Sequence, residues 1–212
     1  MTTEVLTLAQ WLSPSYPVGG FAYSHGLETV IADGTVVAGD DLFAWLADVV
    51  SHGTGHNDCT LLKAAYGCVD LPAVADVDAH ARVFSSSAER LRETALQGAA
   101  FCQTTAAIWG KDLPDLTYPV AVGWACRQCD FDVNLAAAMY LQSFASNLVS
   151  AAVRAVPLGQ TEGQSVLARL SPLCHRTANG SSSDLDDLHS TAFLSDIAAM
   201  RHETLQPRIF RS

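Results

Sequence analysis

The chain has 212 residues, of which 49% are apolar, and it carries a formal net charge of −10. A chain of this length and composition is expected to bury one sizeable core, so we predict a single globular domain over residues 1–212 and exclude intrinsic disorder. Its basic residues include only two lysines, and an acidic surface repels phosphate backbones, which argues against nucleic-acid binding.

Helix signals recur along the whole chain and predict an all-α fold, a single compact bundle of roughly eight to ten helices. In the first half we expect helices over Glu4–Leu12, Asp40–Ser51 and Thr60–Val69. Later in the chain, Pro119–Cys126 is expected to begin another helix, because proline is favoured in a first turn.

The stretch Val30–Val37 allows two interpretations. β-Branched residues flank an Asp-Gly pair, as in a hairpin, or Gly34 follows a helix that begins at Ser24. No partner strands are evident nearby, and an isolated hairpin is marginal, so the helix is favoured.

The second half contains the clearest helical patterns. From Ala88, apolar or small residues recur in alternating steps of three and four, and Ser86 with Glu89 has the spacing of a capping box. A second long helix is predicted after Asp132 as its N-cap, and Pro157 is predicted to end it.

Two further helices are predicted after Pro157. Thr161 and Gln164 repeat the capping-box spacing and are expected to open a helix that runs to about Leu173. Asp184 is expected to open the last helix, toward Met200.

A possible metal site is suggested by His52, His56 and Cys59, whose spacing would place them on one face of a continuous helix. Gly53 and Gly55 weaken that helix, and no fourth ligand is evident. A surface turn that carries histidines is therefore favoured over a metal site.

The six cysteines are interpreted as reduced thiols, because the chain lacks an export signal or a stretch long enough to span a membrane. We therefore expect a cytoplasmic protein. Cys126 and Cys129 could form a redox pair or half of a zinc site, but no second pair completes it, so buried thiols are favoured.

Two catalytic classes are disfavoured. Ala22–Gly26 resembles a hydrolase nucleophile elbow around Ser24, but the first glycine and the preceding strand are missing. Neither lysine lies in a phosphate-binding loop, so the chain is not expected to hydrolyse a nucleotide.

Two polar and aromatic segments remain, residues 16–28 and residues 200–212. The second is basic, and Pro207 interrupts any helix there, leaving Ile209 and Phe210 between arginines. This segment could be a flexible tail, residues 201–212, that becomes ordered on a partner, or it could pack back on its own domain.

The same two segments carry a family resemblance. The run Tyr-Pro-Val-Gly-Gly-Phe-Ala-Tyr-Ser-His-Gly-Leu-Glu at 16–28, and Arg-His-Glu-Thr at 201–204 with Arg-Ile-Phe-Arg-Ser at 208–212, resemble the two hallmark stretches of the UreF urease accessory proteins. Shorter similarities lie between them in the same order: Leu91–Thr94, Gln97–Gly98, Tyr118–Ala121 and Pro157–Thr161.

The resemblance implies a non-enzymatic, all-α protein that forms a homodimer. It also implies that the protein bridges UreD, called UreH in some organisms, and the GTPase UreG during GTP-dependent insertion of nickel into the urease apoprotein. The complex would handle the nickel and the partner GTPase would bind the GTP, so no tightly bound cofactor is expected. A different interpretation is a stand-alone nickel metallochaperone that uses His52, His56 and Cys59.

The resemblance further implies a set of partner-binding residues in the two segments. In the first segment, which is expected at or near a partner surface, they are Tyr23, Ser24, His25 and Glu28. In the second, which is expected to engage a UreD-like partner, they are Arg201, His202, Glu203, Arg208, Ile209, Phe210 and Arg211.

Overall fold

The computed structural model describes residues 2–212, and all regular secondary structure in that range is helical. The α-helices are α1 (Thr2–Trp11), α2 (Leu27–Ala32), α3 (Gly39–His52), α4 (Thr54–Gly67), α5 (Leu71–Val83), α6 (Ala88–Trp109), α7 (Tyr118–Cys129), α8 (Val133–Ala155), α9 (Gln160–Gly180) and α10 (Phe193–His202). Short 3-10 turns occupy Gly20–Ala22 and Leu185–Asp187. The predicted all-α fold is confirmed, and none of these helices is long and apolar enough to cross a bilayer.

The helices surround one apolar core. α4 packs on α7, α9 packs on both α3 and α8, and α6 packs on α7, while α10 lies against α2. Trp11 is fully buried and meets the rings of Phe101 and Trp109 edge-on, with centroids 5.5 and 5.4 Å away. Each large side chain buried in this way contributes roughly 1.5–3 kcal/mol to folding.

Glycine allows two of the helix contacts to be very close. A Cβ atom added at Gly98 would lie 1.9 Å from the carbonyl oxygen of Leu116, and one added at Gly123 would lie 2.1 Å from that of Leu62. Real Cβ atoms do not approach backbone this closely, so only glycine fits at either position. Gly98 therefore lets α6 lie directly against the segment that precedes α7.

Both long helices, α6 and α8, begin at a side-chain N-cap, but the cap of α6 is not the predicted residue. The Asp132 side chain accepts hydrogen bonds from the amides of Asn134 and Leu135, which confirms Asp132 as the N-cap of α8. The cap of α6 is Ser87, which accepts from the amide of Arg90 at 3.0 Å, and not Ser86. A side-chain cap must sit directly before the first helical residue, which here is Ala88.

The predicted bounds of α9 were wrong at both ends. The helix follows Gly159 rather than Thr161, and it continues through Pro172 to Gly180 instead of ending near Leu173. Buried Leu170, Cys174 and Ala178 recur every four residues on its inner face, and their packing outweighs the hydrogen bond that proline removes.

The first residues of two other helices, α10 and α4, were also predicted wrongly. Asp184 caps only the 3-10 turn Leu185–Asp187, and the last helix, α10, begins later, at Phe193. α4 begins at Thr54, six residues before the predicted start, because the helix tolerates Gly55.

One helix, α5, was not predicted. Its sequence signals were present, since Asp70 caps it by accepting from the amide of Ala73, and Pro72 lies in the first turn. Val74, Val77 and Ala81 form its buried stripe.

The stretch around Gly34 forms no hairpin. α2 ends at Ala32, and Gly34 follows it with φ = +80°, so the helical interpretation is confirmed. The helix begins at Leu27 rather than at Ser24, because His25 and Gly26 both have positive φ and cannot continue a right-handed helix.

Candidate functional site

The two segments that carry the family resemblance lie against each other, although they come from opposite ends of the chain. The amide of Ser24 donates to a main-chain oxygen of Ser212 at 2.7 Å, and the amide of Arg211 donates to the carbonyl oxygen of Ala22 at 2.9 Å. Residues 201–212 therefore pack against the body of the chain, and their ordering by a partner stays a prediction.

Glu28, in the first turn of α2, is the main contact between the segments. Its Oε1 accepts from the amide of Ile209 at 2.6 Å, and its Oε2 accepts from the amide of Phe210 at 3.0 Å. Burial alone would raise the pKa of this carboxyl, but hydrogen bonds from His202 and the two amides outweigh it, so the pKa lies below its usual value.

His202 is fully buried at the end of α10, between two carboxylates. Its Nε2 lies 3.0 Å from Glu28 Oε2 and its Nδ1 lies 2.6 Å from Glu89 Oε2. His202 therefore links α2 to α6 through both of its ring nitrogens. Arg208 also pairs with Glu89. We call Glu28, Glu89, His202 and Arg208 the tail cluster, because they join the tail to α2 and α6.

A buried ionic network lies next to the tail cluster, and α6 contributes residues to both. Arg90 donates to both carboxylate oxygens of Asp58, at 2.9 and 2.8 Å, and to Glu93 at 3.2 Å, while the Tyr140 hydroxyl donates to Asp58 at 2.7 Å. We call these four residues the core network. It reaches the tail through the hydroxyl of Ser212, which donates to Glu93 at 2.8 Å.

The charges of the core network compensate each other. Burial opposes ionisation of Glu93, yet the neighbouring Arg90 guanidinium holds the pKa of that carboxyl below its usual value. Burial would likewise lower the pKa of Arg90, but Asp58 and Glu93 raise it above its usual value. Removing Arg90 would leave the buried carboxylates of Asp58 and Glu93 without their cationic partner, which is costly.

The turn around Ser24 is shaped by α10 and forms no nucleophile elbow. A Cβ atom on Gly26 would lie 2.6 Å from the backbone nitrogen of Ala199, so α10 packs directly on this turn. Ser24 is fully buried and its hydroxyl donates to a main-chain oxygen of Ser212, so it is not exposed as the serine of a nucleophile elbow is. His25 Nε2 contacts Thr54 at 2.9 Å, and its Nδ1 lies 3.8 Å from Glu93, beyond hydrogen-bond range.

The predicted partner-binding residues divide into two groups by exposure. Six of them are buried and hold the chain's own segments together: Tyr23, Ser24, His25, Glu28, His202 and Phe210. Five are exposed: Arg201, Glu203, Arg208, Ile209 and Arg211. Among the exposed residues, Glu203 also accepts from the amide of Ala88 at 2.9 Å, at the start of α6.

An apolar surface on α10 was not predicted from the sequence. Four large side chains of this helix are exposed, and we call them the α10 face: Phe193, Leu194, Ile197 and Met200. Three of them line a cleft of about 250 Å³ beside Phe84, and Asp58 and Arg90 of the core network also line this cleft. The apolar spacing was visible in the sequence, but it cannot distinguish a buried stripe from an exposed one.

The predicted metal ligands do not converge. α3 ends at His52, and Gly53 separates it from α4, so the three residues do not lie on one continuous helix. Cys59 is fully buried, and burial raises the pKa of its thiol. Within residues 2–212, no three side chains of the His, Cys, Asp or Glu type lie together as a metal site. The stand-alone metallochaperone that uses His52, His56 and Cys59 therefore has no preformed site in this structure.

Cys126 and Cys129 are both free thiols on α7, and burial raises the pKa of each. Cys126 is fully buried, as expected, whereas Cys129 is only partly so.

The chain is similar to known proteins over its whole length. A family model described as UreF matches residues 36–171. Three relatives, each named urease accessory protein UreF, come from Ruegeria pomeroyi, Roseobacter denitrificans and Cereibacter sphaeroides. They are 50%, 50% and 49% identical to this chain, over 99%, 100% and 100% of its length and 97%, 95% and 100% of theirs.

Proposed function

Because the chain belongs to the UreF family of urease accessory proteins, we propose that it is a non-catalytic adaptor in urease maturation. It bridges UreD (UreH) and the GTPase UreG while nickel is inserted into the urease apoprotein at the expense of GTP. It works as a cytoplasmic homodimer. It holds no cofactor tightly, because the complex handles the nickel and UreG binds the GTP.

The observation that carries this proposal is the exposed apolar surface beside the packed tail. Phe193 and Leu194 are 65% and 71% exposed, and Ile209 of the tail is 72% exposed. Contiguous apolar side chains in contact with water mark protein-binding surfaces, and arginine is enriched in such interfaces. Arg201, near the end of α10, and Arg211, in the tail, are also exposed. We propose that UreD binds the α10 face together with Ile209.

The buried residues of the two segments then serve binding indirectly. Glu28 fixes the backbone at Ile209 and Phe210, and it fixes the end of α10 through His202. A surface held in advance in this way loses less entropy when a partner binds. In this proposal Glu28 is a positioning residue, and its effect on UreD or UreG passes through the tail.

The proposal can be tested by co-expression of the chain with UreD and with UreG carrying an affinity tag. An adaptor should make UreD copurify with tagged UreG only when the chain is present. Copurification of UreD and UreG without the chain would contradict bridging, as would failure of the chain to bind either protein. Hydrolysis of GTP by the purified chain alone would contradict the non-catalytic role.

A further inference from the structure

A second cleft opens beside the α10 face, between the end of α3 and the start of α10. Its volume is about 390 Å³, and α3 lines it with Trp45, Asp48 and His52. The opposite wall includes Phe193 and Leu194 of the α10 face. Phe193 also lines the first cleft, so the two clefts adjoin at this side chain. We call the second one the α3–α10 cleft.

The walls of the α3–α10 cleft are held in place by the fold. Trp45, Asp48 and His52 are three and four residues apart in α3, so they lie along one face of that helix. Across the cleft, the hydroxyl of Thr191 donates to the carbonyl oxygen of His52 at 2.9 Å. A Cβ atom added at Gly53 would lie 2.9 Å from the Cβ atom of Ala192, so the chain before α10 packs directly on the end of α3. The cleft is therefore formed before any partner binds.

Trp45 gives the cleft an aromatic wall. Its indole is partly buried, packs against the apolar core and remains partly exposed. Within the described residues 2–212, no other ring and no guanidinium stacks on it. Tryptophan attracts a cation over its ring more strongly than the other aromatic side chains do. This indole is thus available to a cationic side chain that enters the cleft.

Asp48 gives the same cleft a negative charge. Its side chain is exposed and makes no hydrogen bond or ion pair with another residue in the part of the chain that the structure describes. The segment 181–192, which leads to α10, contains three aspartates and neither lysine nor arginine. This end of α10 is therefore acidic, which favours a basic partner group and disfavours an acidic one.

We propose that the α3–α10 cleft receives an arginine side chain of the protein that binds the α10 face. The guanidinium stacks on Trp45 and pairs with Asp48, while its methylene groups lie along Phe193 and Leu194. Arginine fits better than lysine, because a planar guanidinium can stack on a ring and pair with a carboxylate at the same time. The inference rests on the proposed function, in which this protein is UreD.

Calorimetric titration of UreD into the full chain tests the role of Asp48, at about 0.05 M and about 0.5 M NaCl. Asp48→Asn keeps the size of the side chain but removes its charge, so it should raise Kd at least about tenfold at low salt and make binding less sensitive to salt. Asp48→Lys should weaken binding further through repulsion. Asp76→Asn, which removes an exposed carboxylate from α5, is the matched control and should bind as the parent does.

The aromatic wall is tested by two substitutions at Trp45. Trp45→Leu removes the ring and should raise Kd at least about threefold, whereas Trp45→Phe keeps a ring and should lose less affinity. Circular dichroism and urea unfolding of both variants establish that the fold is retained. A Trp45→Leu chain that folds and binds UreD as the parent does would refute the stacking.

The outcomes separate this inference from the proposed function. If Leu194→Asp loses UreD while Asp48→Asn and Asp48→Lys bind it with the affinity and salt dependence of the parent, UreD docks on the α10 face without an arginine in the cleft, and only this inference is wrong. A parent chain that does not bind UreD at all would refute both. Light scattering tests a second copy as the occupant: a change of molar mass in Asp48→Lys with unchanged UreD binding would assign the cleft to self-association and overturn the inference.

Discussion

Glu28 Oε2 lies 3.0 Å from His202 Nε2, although the two residues are 174 positions apart in the sequence. This contact joins residues 16–28 to residues 200–212. Both side chains are buried, so the segments act first as an internal scaffold that fixes α10 and the tail. In the proposed function, the surface offered to partners is what this scaffold leaves exposed, chiefly the α10 face and Ile209.

Replacing Glu28 with alanine should release the tail. The change leaves the imidazole of His202 and the amides of Ile209 and Phe210 without their acceptor, at a cost of roughly 2–3 kcal/mol. Urea unfolding measures this loss, and limited proteolysis should cut near residue 205 in the variant first. Asp48→Ala, which removes an exposed carboxylate of α3 outside the cluster, should lower stability by no more than about 0.5 kcal/mol. Equal stability of the two variants would contradict the role of Glu28.

The stability of the protein should fall in mild acid. The pKa values of Glu28 and Glu93 are lower in the folded chain than their usual values, so the unfolded chain binds more protons as the pH falls below about 4.5. The stability from these carboxylates is complete above that pH and is lost as the pH drops through the folded values. Urea unfolding between about pH 6 and pH 3 measures it. Glu28→Gln lacks one of these titrations and should show a shallower fall; a slope as steep as that of the parent would exclude Glu28 as a source.

Most of the fold could be predicted because helices leave local patterns. The α8 start at Asp132 needed only a capping residue followed by an apolar stripe, and it was placed correctly. The end of α9 could not be placed, since the packing of Cys174 and Ala178 decides it against the local preference of Pro172. Where tertiary packing opposes local preference, a sequence pattern gives the wrong boundary.

The site was predicted only in part, for a related reason. The two segments were recognised, but their mutual contact depends on chain geometry that no local pattern contains. Asp58 and Tyr140 of the core network were missed altogether, because isolated polar residues on apolar helices give no sign of pairing.

Phe210 and Ile209 should separate stability from binding. Phe210 is buried and lies under the guanidinium of Arg154, 4.7 Å from the ring centroid, so Phe210→Ala should cost roughly 3 kcal/mol. Its exposed neighbour should behave in the opposite way, with Ile209→Ala keeping full stability and losing UreD capture. Thermal unfolding and copurification, run on both variants, measure the two properties. A destabilised Ile209→Ala, or a Phe210→Ala as stable as the parent, would contradict this assignment.

A charge introduced into the α10 face should leave the stability of the chain unchanged but disrupt binding of a partner at this surface. Leu194 is 71% exposed, so Leu194→Asp should leave urea unfolding within about 0.5 kcal/mol of the parent and yet reduce UreD copurification at least about tenfold. Val69 lies just after the last residue of α4 and is 81% exposed, so it provides the matched control. Val69→Asp should retain UreD. If both variants capture UreD as well as the parent, the docking surface lies elsewhere.

Two glycines in helices should respond in opposite ways to alanine. Gly98 in α6 faces the carbonyl oxygen of Leu116, and an added methyl group would come within 1.9 Å of it, so Gly98→Ala must push α6 away from the segment before α7. We expect a loss of more than about 3 kcal/mol, the upper end of the usual cost of overpacking. Gly67 in α4 has no atom within 4 Å of the equivalent position, so Gly67→Ala should stabilise the chain by up to about 1 kcal/mol through the higher helix propensity of alanine. Thermal unfolding of the two variants measures both effects, and a Gly98→Ala protein that melts with or above the parent would refute the close contact between α6 and Leu116.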